Sequence, residues 1–273
     1  MSESHAAARR LLIALDIDGT VMREDGVITP DVIAAVHHAR DLGHEVMLAT
    51  GRSVSMTLPV LERLGIVPTY VVCANGAITL QRDPDAPTGY TQAYVETFSP
   101  REVLTTISQH LTDGRYAVED ADGRFRYAGG DFPEAGIEAN GERVTFDDLL
   151  DRDATRVVVL SPGHALDDFL AVVEQMGLHK VSYNVGWTAW LDIAPDGVNK
   201  ATALERVRDL LGISPKDVVA IGDGRNDIDM LEWASADGRG VAMGQAPLEV
   251  LDAANEVTGT DIAGGAAQIL AAL

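Results

Sequence analysis

The segment Leu11-Leu-Ile-Ala-Leu-Asp16-Ile-Asp18-Gly19-Thr20 limits most sharply what this chain can become. An apolar run of strand length stops in two carboxylates spaced i, i+2, followed by a turn-forming glycine. On a strand, such residues project to the same side, so the two acids crowd one edge of a sheet. Like charges that close resist ionising together unless a cation lies between them. The pattern therefore asks for a hard metal such as Mg2+, which prefers oxygen ligands. Taken alone, a pair of acids can equally cap a strand and start a turn, and the remaining chain decides between the two.

Similar strand ends recur. Thr29-Pro30 suits the N-cap and first position of a helix that Gly43 closes. Glu45-Val-Met-Leu-Ala-Thr50-Gly51-Arg52-Ser53 reads as a second buried strand ending in a hydroxyl, a glycine and an arginine. A helix to Leu64, stopped by Gly65, precedes a third strand, Tyr70 to Ala74. Strand-helix-strand alternation specifies a parallel sheet with right-handed crossovers, whose ligands gather at the carboxyl ends of the strands. Asp16, Asp18 and Thr50 all fall at such ends. Asn75-Gly76 signals a hairpin with Ala77–Leu80 folding back.

From about Arg82 the texture changes, and the turn-rich stretch Asp83-Pro-Asp-Ala-Pro-Thr-Gly reads as a domain boundary. Ser99-Pro-Arg-Glu102 has the form of a capping box. The strands and helices between it and residue 188 form an α+β insertion, 84–188, interrupting a core made of 1–83 and 189–273. The parallel pattern is expected to resume at Ala189-Trp-Leu-Asp-Ile-Ala. Asn199-Lys200 then opens a helix, and Val218-Val-Ala-Ile-Gly222-Asp223-Gly-Arg-Asn226-Asp227 is another buried strand ending in acids. Asp223 could be plain turn chemistry and Asp227 a first-turn acid. Lys200 is one of only three lysines in a chain rich in arginine, which favours a wanted point charge.

Composition removes other classes. A formal net charge of −21 leaves no basic footprint for nucleic acid or an anionic membrane. The single cysteine, Cys73, cannot form an internal disulfide and sits in an apolar run, as a buried structural thiol would. Residues 1–10 show no secretory pattern and no segment has the length of a membrane span. A cytoplasmic, soluble protein is expected.

Together these segments resemble the haloacid dehalogenase superfamily, specifically its Cof-type, subclass IIB phosphatases with a C2B cap. Asp16-Ile-Asp18-Gly19-Thr20, Thr50-Gly51-Arg52, Asn199-Lys200 with Ala203-Leu204, and Gly222-Asp223-Gly-Arg-Asn226-Asp227 with Met230-Leu231 look like its four motifs, in order. The resemblance implies a Rossmann-like three-layer α/β core with a mostly parallel sheet. It implies a Mg2+-dependent phosphatase of a small phosphorylated metabolite, sugar phosphates by default, working through an aspartyl-phosphate. Asp16 would be the nucleophile and Asp18 the general acid and base. Mg2+ would take Asp16, Asp18 through its backbone carbonyl, and Asp223, with Asp227 a ligand through water or an orienter. Thr50 and Lys200 would hold the phosphoryl oxygens, helped by Gly51 and Asn199. Arg52 is either a further phosphate contact or an exposed helix-start arginine. In Gly240-Val-Ala-Met-Gly244, which resembles the family's next segment, Gln245 stands where asparagine is usual, a departure expected to matter little. A phosphomutase and a phosphate-sensing module are the alternatives.

Overall fold

The computed structural model describes residues 10–111, 113–132, 141–176, 181–185 and 189–273. The chain begins with strand β1 (Leu12–Leu15), helix α1 (Pro30–Asp41), strand β2 (Glu45–Leu48), helix α2 (Val54–Leu64) and strand β3 (Tyr70–Cys73). The helix ends follow the sequence chemistry. The Thr29 side chain accepts from the Val32 amide at 3.3 Å, and Gly65 ends α2 in the left-handed conformation, φ 67°.

Strands β12 (Val218–Gly222), β13 (Arg239–Ala242) and β14 (Glu256–Val257) complete a parallel sheet in the order β14-β13-β12-β1-β2. The period of two divides β1 between two cores. Ile13 and Leu15 pack with Val36 and Leu64 of α1 and α2, and with Ile269 and Leu270 of the last helix, Gly265–Ala271. Leu12 and Ala14 pack with Ala203, Leu204 and Val207 of the helix Lys200–Leu210, and with Met230 and Ala234 of the helix Ile228–Ser235. Helices thus cover both faces, which is why the central strands read as continuous apolar runs.

Two stretches pair otherwise than the sequence pattern suggests. The turn-rich stretch after Arg82 is a hairpin loop: β4 (Ile78–Arg82) pairs antiparallel with both β3 and β5 (Tyr90–Val95), so the sheet β3-β4-β5 continues through residue 95. Turn composition marks a chain reversal, and a boundary is only one use of a reversal. Further on, Trp190–Pro195 does not rejoin the parallel sheet. As strand β11 it pairs antiparallel with β9 (Arg156–Leu160) and β10 (Val181–Val185), at one end of a second sheet. The alternation of Trp190 and Asp192 with buried Leu191 and Ile193 is the signature of a strand with one covered face.

That second sheet also contains β6 (Arg115–Glu119), β7 (Phe125–Ala128) and β8 (Gly141–Arg143). Helices α3 (Arg101–His110) and α4 (Leu166–Met176) cover one of its faces, through Leu104, Ile107, Phe169 and Val173 against Tyr116, Val118, Val157, Val159, Leu191 and Ile193. Helix α3 starts at Arg101 without a side-chain cap, so the Ser99–Glu102 box does not form. The opposite face carries Ala117, Phe125, Val158, Leu160 and Trp190 with a part-buried ion pair, in which Arg156 donates to both oxygens of Asp192 at 2.5 and 3.1 Å. Strand β10 packs against the Arg225–Asp227 turn, which brings the inserted domain to the carboxyl ends of the parallel strands. Among the described residues, no helix is long and apolar enough to cross a membrane.

The remaining helices, in chain order, are α5 (Lys200–Leu210), α6 (Ile228–Ser235), α7 (Leu248–Ala253) and α8 (Gly265–Ala271).

Candidate active site

Beyond Leu15 the chain leaves the sheet and turns at Asp16-Ile-Asp18-Gly19, while β12 ends beside it in Gly222-Asp223. Because β1 and β12 are parallel neighbours in register, Leu15 opposite Ile221, their carboxyl ends deliver Asp16 and Asp223 to one place. The turn after Asp223 returns Asp227 to the same place. Asp16, Asp223 and Asp227 are buried, and each offers an oxygen within 4.8 Å of the others.

Three carboxylates in a dry pocket require compensation. Lys200, at the start of α5, supplies part of it. Its side chain is 0% exposed, and its ammonium donates to Asp16 Oδ1 at 2.7 Å and Asp227 Oδ1 at 2.6 Å. Burial by itself would lower the lysine pKa, but Asp16 and Asp227 outweigh it and keep the ammonium charged well above its usual range. The other oxygen of Asp227 accepts from the backbone amides of Asp223 and Gly224 at 3.0 and 2.9 Å. Asp227 is therefore an internal organiser, tying the β12 turn to Lys200. A side chain at Gly222 would run into its carboxylate, so only glycine fits there.

The remaining charge is unbalanced. Burial, then the Asp227 carboxylate, push the Asp16 carboxyl well above the ordinary range. Burial and Asp227 likewise raise Asp223 to about 7, against a hydrogen bond from Gln245 that lowers it. A divalent cation among these oxygens would remove the conflict, and an all-oxygen donor set is the kind a hard cation takes.

The surrounding residues divide into four groups. Thr50 is buried, and its hydroxyl accepts from the Arg52 amide at 3.1 Å, closing the Thr50-Gly51-Arg52 turn beside β1. Next to Gly51 lie the side chains of Asn75 and Asn226, with Asn226 donating to Asn75 at 3.0 Å. Asn75 reads from sequence only as a hairpin residue. Its positive φ, 52°, is the clue that a special backbone position holds this buried amide beside the site.

Asn199 is used structurally. Its side-chain oxygen caps α5 by accepting from the Thr202 amide at 2.9 Å, and the Thr202 hydroxyl completes a reciprocal box. That cap fixes the start of the helix that carries Lys200.

The Asp18 carboxylate stands outside the acid cluster. It is more than half exposed, and Arg52 donates to both its oxygens, Nε to Oδ2 at 2.8 Å and Nη2 to Oδ1 at 2.6 Å. Of the four acids expected around the metal, three bring their carboxylates together, and Asp18 has only its backbone to offer.

Gln245 carries more than a turn. Its amide donates to the Gly19 carbonyl at 2.6 Å and to Asp223 Oδ2 at 3.3 Å, and its oxygen accepts from the Asp261 amide at 3.0 Å. One side chain thus joins three loops around the acids. Gly19, at φ 71°, lies so close to Asp223 that a Cβ would overlap its carboxylate. Beside Gly19, Asp223 and Gln245 opens a cavity of about 510 Å3.

Residues 13–270 match the family model of the haloacid dehalogenase-like hydrolases. The pyridoxal phosphate phosphatase YbhA of Escherichia coli is 30% identical, over 95% of this chain and 97% of its own. The Bacillus subtilis phosphatase YitU, named for 5-amino-6-(5-phospho-D-ribitylamino)uracil, is 27% identical over 95% of this chain and 96% of its own. The solved structure of the subclass IIB sugar phosphatase BT4131 superposes with a TM-score of 0.76 at 19% identity, covering 95% of this chain and 97% of that one. The chain belongs to the haloacid dehalogenase-like hydrolases. Within them it is a Cof-type phosphatase, a hydrolase of phosphoric monoesters.

Proposed function

We propose that the protein is a Mg2+-dependent phosphatase of a small phosphorylated metabolite that works through a phosphoryl group on Asp16. The observation that carries this reading is the buried Asp16 carboxylate, held by Lys200 and grouped with Asp223 and Asp227. In the first step an Asp16 oxygen attacks phosphorus, the ester P–O bond breaks, and the leaving oxygen takes a proton from Asp18. In the second, water attacks the same phosphorus, its proton passes to Asp18, and the P–O bond to Asp16 breaks to release phosphate.

Asp16 and Asp223, with the Asp18 carbonyl, would hold Mg2+, and Asp227 would orient the set. When bound, the ion supplies positive charge that offsets the carboxylates and the phosphoryl oxygens. Lys200 spends two N–H groups on Asp16 and Asp227, which leaves one hydrogen of its ammonium for a phosphoryl oxygen. Thr50 and the Gly51 amide would receive the remaining oxygens, an arrangement that is worth most in a site closed to water. The inserted domain, near the strand ends through β10, is the part placed to contact the rest of the substrate.

Relatives named for pyridoxal phosphate and for a phosphoribitylaminouracil act on different phosphate monoesters. Sugar phosphates are the default class on the strength of the superfamily resemblance. The test is a screen of sugar phosphates, pyridoxal phosphate and nucleotide monophosphates with Mg2+, reading released phosphate, with Asp16→Asn as control. A preferred ester, hydrolysed by the wild type and not by Asp16→Asn, is expected. Equal turnover by the two proteins would overturn the assignment of Asp16.

A further inference from the structure

Asp18 lies two residues beyond Asp16, yet its carboxylate is not with the other acids. It is met by an arginine from 34 residues further along the chain, which donates to it through two N–H groups on one edge of the guanidinium. The path of that arginine is fixed. The Arg52 amide donates to the Thr50 hydroxyl, so the β2–α2 turn carrying the guanidinium is tied to a buried residue at the same sheet edge. The Arg52 side chain is 22% exposed and that of Asp18 57%. An ion pair this open contributes little to stability. A two-point fork, however, sets the plane and direction of a carboxylate as well as its position, which a lysine cannot do.

We propose that Arg52 is a positioning residue for Asp18. It fixes the acid–base carboxylate to one side of the Asp16–Asp223–Asp227 cluster, where the leaving oxygen of a phosphate monoester would sit. Two forces would otherwise act on Asp18. The neighbouring carboxylates repel it, and a bound cation would draw it inward. Arg52 opposes both displacements with a partner outside the cluster. A direct grip of Arg52 on the phosphoryl group is the competing role, and in this structure the edge formed by Nε and Nη2 is already committed to Asp18. The proposal rests on the reading of Asp18 as the acid and base of a phosphatase.

The two roles differ in how the leaving group matters. p-Nitrophenolate departs without a proton, whereas phenolate needs one far more, so only the second ester depends strongly on Asp18. Steady-state kinetics with p-nitrophenyl phosphate and phenyl phosphate are measured for the wild type, Arg52→Ala, Arg52→Lys, Asp18→Asn and the double variant Arg52→Ala/Asp18→Asn. Arg52→Ala is expected to lower kcat on phenyl phosphate by about tenfold to a hundredfold, part of the ~10²–10⁴ that acid–base work contributes. On p-nitrophenyl phosphate it should change kcat by about threefold or less. The double variant should be no slower on phenyl phosphate than Asp18→Asn alone, since a residue acting through Asp18 has nothing left to position. Arg52→Lys should recover only part of the loss. Arg52→Gln, which keeps the stem and an amide donor, replaces Arg52→Ala if the latter melts early.

Equal losses on the two esters, or losses that add to those of Asp18→Asn, would overturn the proposal and make Arg52 a phosphoryl contact. A wild type inactive on both esters would instead fail the phosphatase reading and this proposal with it, so the two failures are told apart by the wild type.

Discussion

Replacing Lys200 by methionine keeps the volume of the side chain and removes the ammonium that bridges Asp16 and Asp227 in the cluster of three buried carboxylates. Both hydrogen bonds, to Asp16 and Asp227, are lost in an environment with 0% exposure, and the acids are left facing one another. Breaking a buried ion pair from one side costs roughly 3–5 kcal/mol, because the stranded charge retains its desolvation penalty. The metal-free protein is the state to test. At pH 8 its acids are pressed to ionise; at pH 5 Asp223, which burial and Asp227 raise to about 7, takes a proton and escapes the penalty. A group whose folded pKa exceeds its unfolded one costs stability as pH rises from the unfolded value through the folded one, so the variant's deficit must grow with pH. Urea unfolding in EDTA, followed by tryptophan fluorescence at pH 5, 6.5 and 8, should show a deficit of about 3 kcal/mol or more at pH 8. At pH 5 it should be visibly smaller, and Mg2+ at pH 8 should restore part of it. A deficit under about 1 kcal/mol at pH 8, or one that does not change with pH, would refute the assignment of Lys200 as compensator of the cluster.

Other outcomes follow from the same geometry. Asp223 sits near 7 without metal, so cation binding below that pH must displace a proton. Apparent Mn2+ affinity should fall about tenfold per pH unit below 7, and calorimetry in buffers of different ionisation enthalpy should detect the released proton. An affinity unchanged between pH 5.5 and 7 would contradict that. Gln245→Ala removes the amide that holds Asp223 and the Gly19 carbonyl, and should weaken Mn2+ binding about 10–100-fold while excess metal restores most of the rate. A metal affinity equal to the wild type's would reduce Gln245 to a loop tie. Burial raises the Cys73 thiol to about 12, so iodoacetamide at pH 8 should leave the folded protein unlabelled and modify it fully in urea. Labelling at the same rate in both conditions would show that β3 opens readily.

What the sequence revealed of this molecule was governed by how local the relevant physics is. β1, β2, β3 and β12 are buried on both faces, so their apolar runs stand out, and the candidate site residues follow directly after them. Asp16, Thr50 and Asp223 could therefore be named without knowing any contact. Lys200 was visible as a rare residue at a helix start, though its full burial between Asp16 and Asp227 was not. Trp190–Pro195 reads from sequence as part of the parallel sheet because its true pairing with β9 and β10 is a long-range choice, and the alternation that betrays it covers only a few residues. Gln245, Asn75 and the Arg52–Asp18 fork were hidden for another reason. Each acts through a side-chain partner on a different loop, and a polar residue in a turn carries no local mark of what it will reach.

The phosphorylated state of Asp16 is the most direct object of measurement. Enzyme mixed with Mg2+ and excess p-nitrophenyl phosphate is quenched in acid within milliseconds, digested with pepsin and mapped by mass spectrometry. A phosphoryl group is expected on the peptide containing Asp16, labile to hydroxylamine as an acyl phosphate is and missing from Asp16→Asn. Rapid turnover by the wild type with no such adduct at any quench time, or an adduct that persists in Asp16→Asn, would contradict nucleophilic catalysis by Asp16.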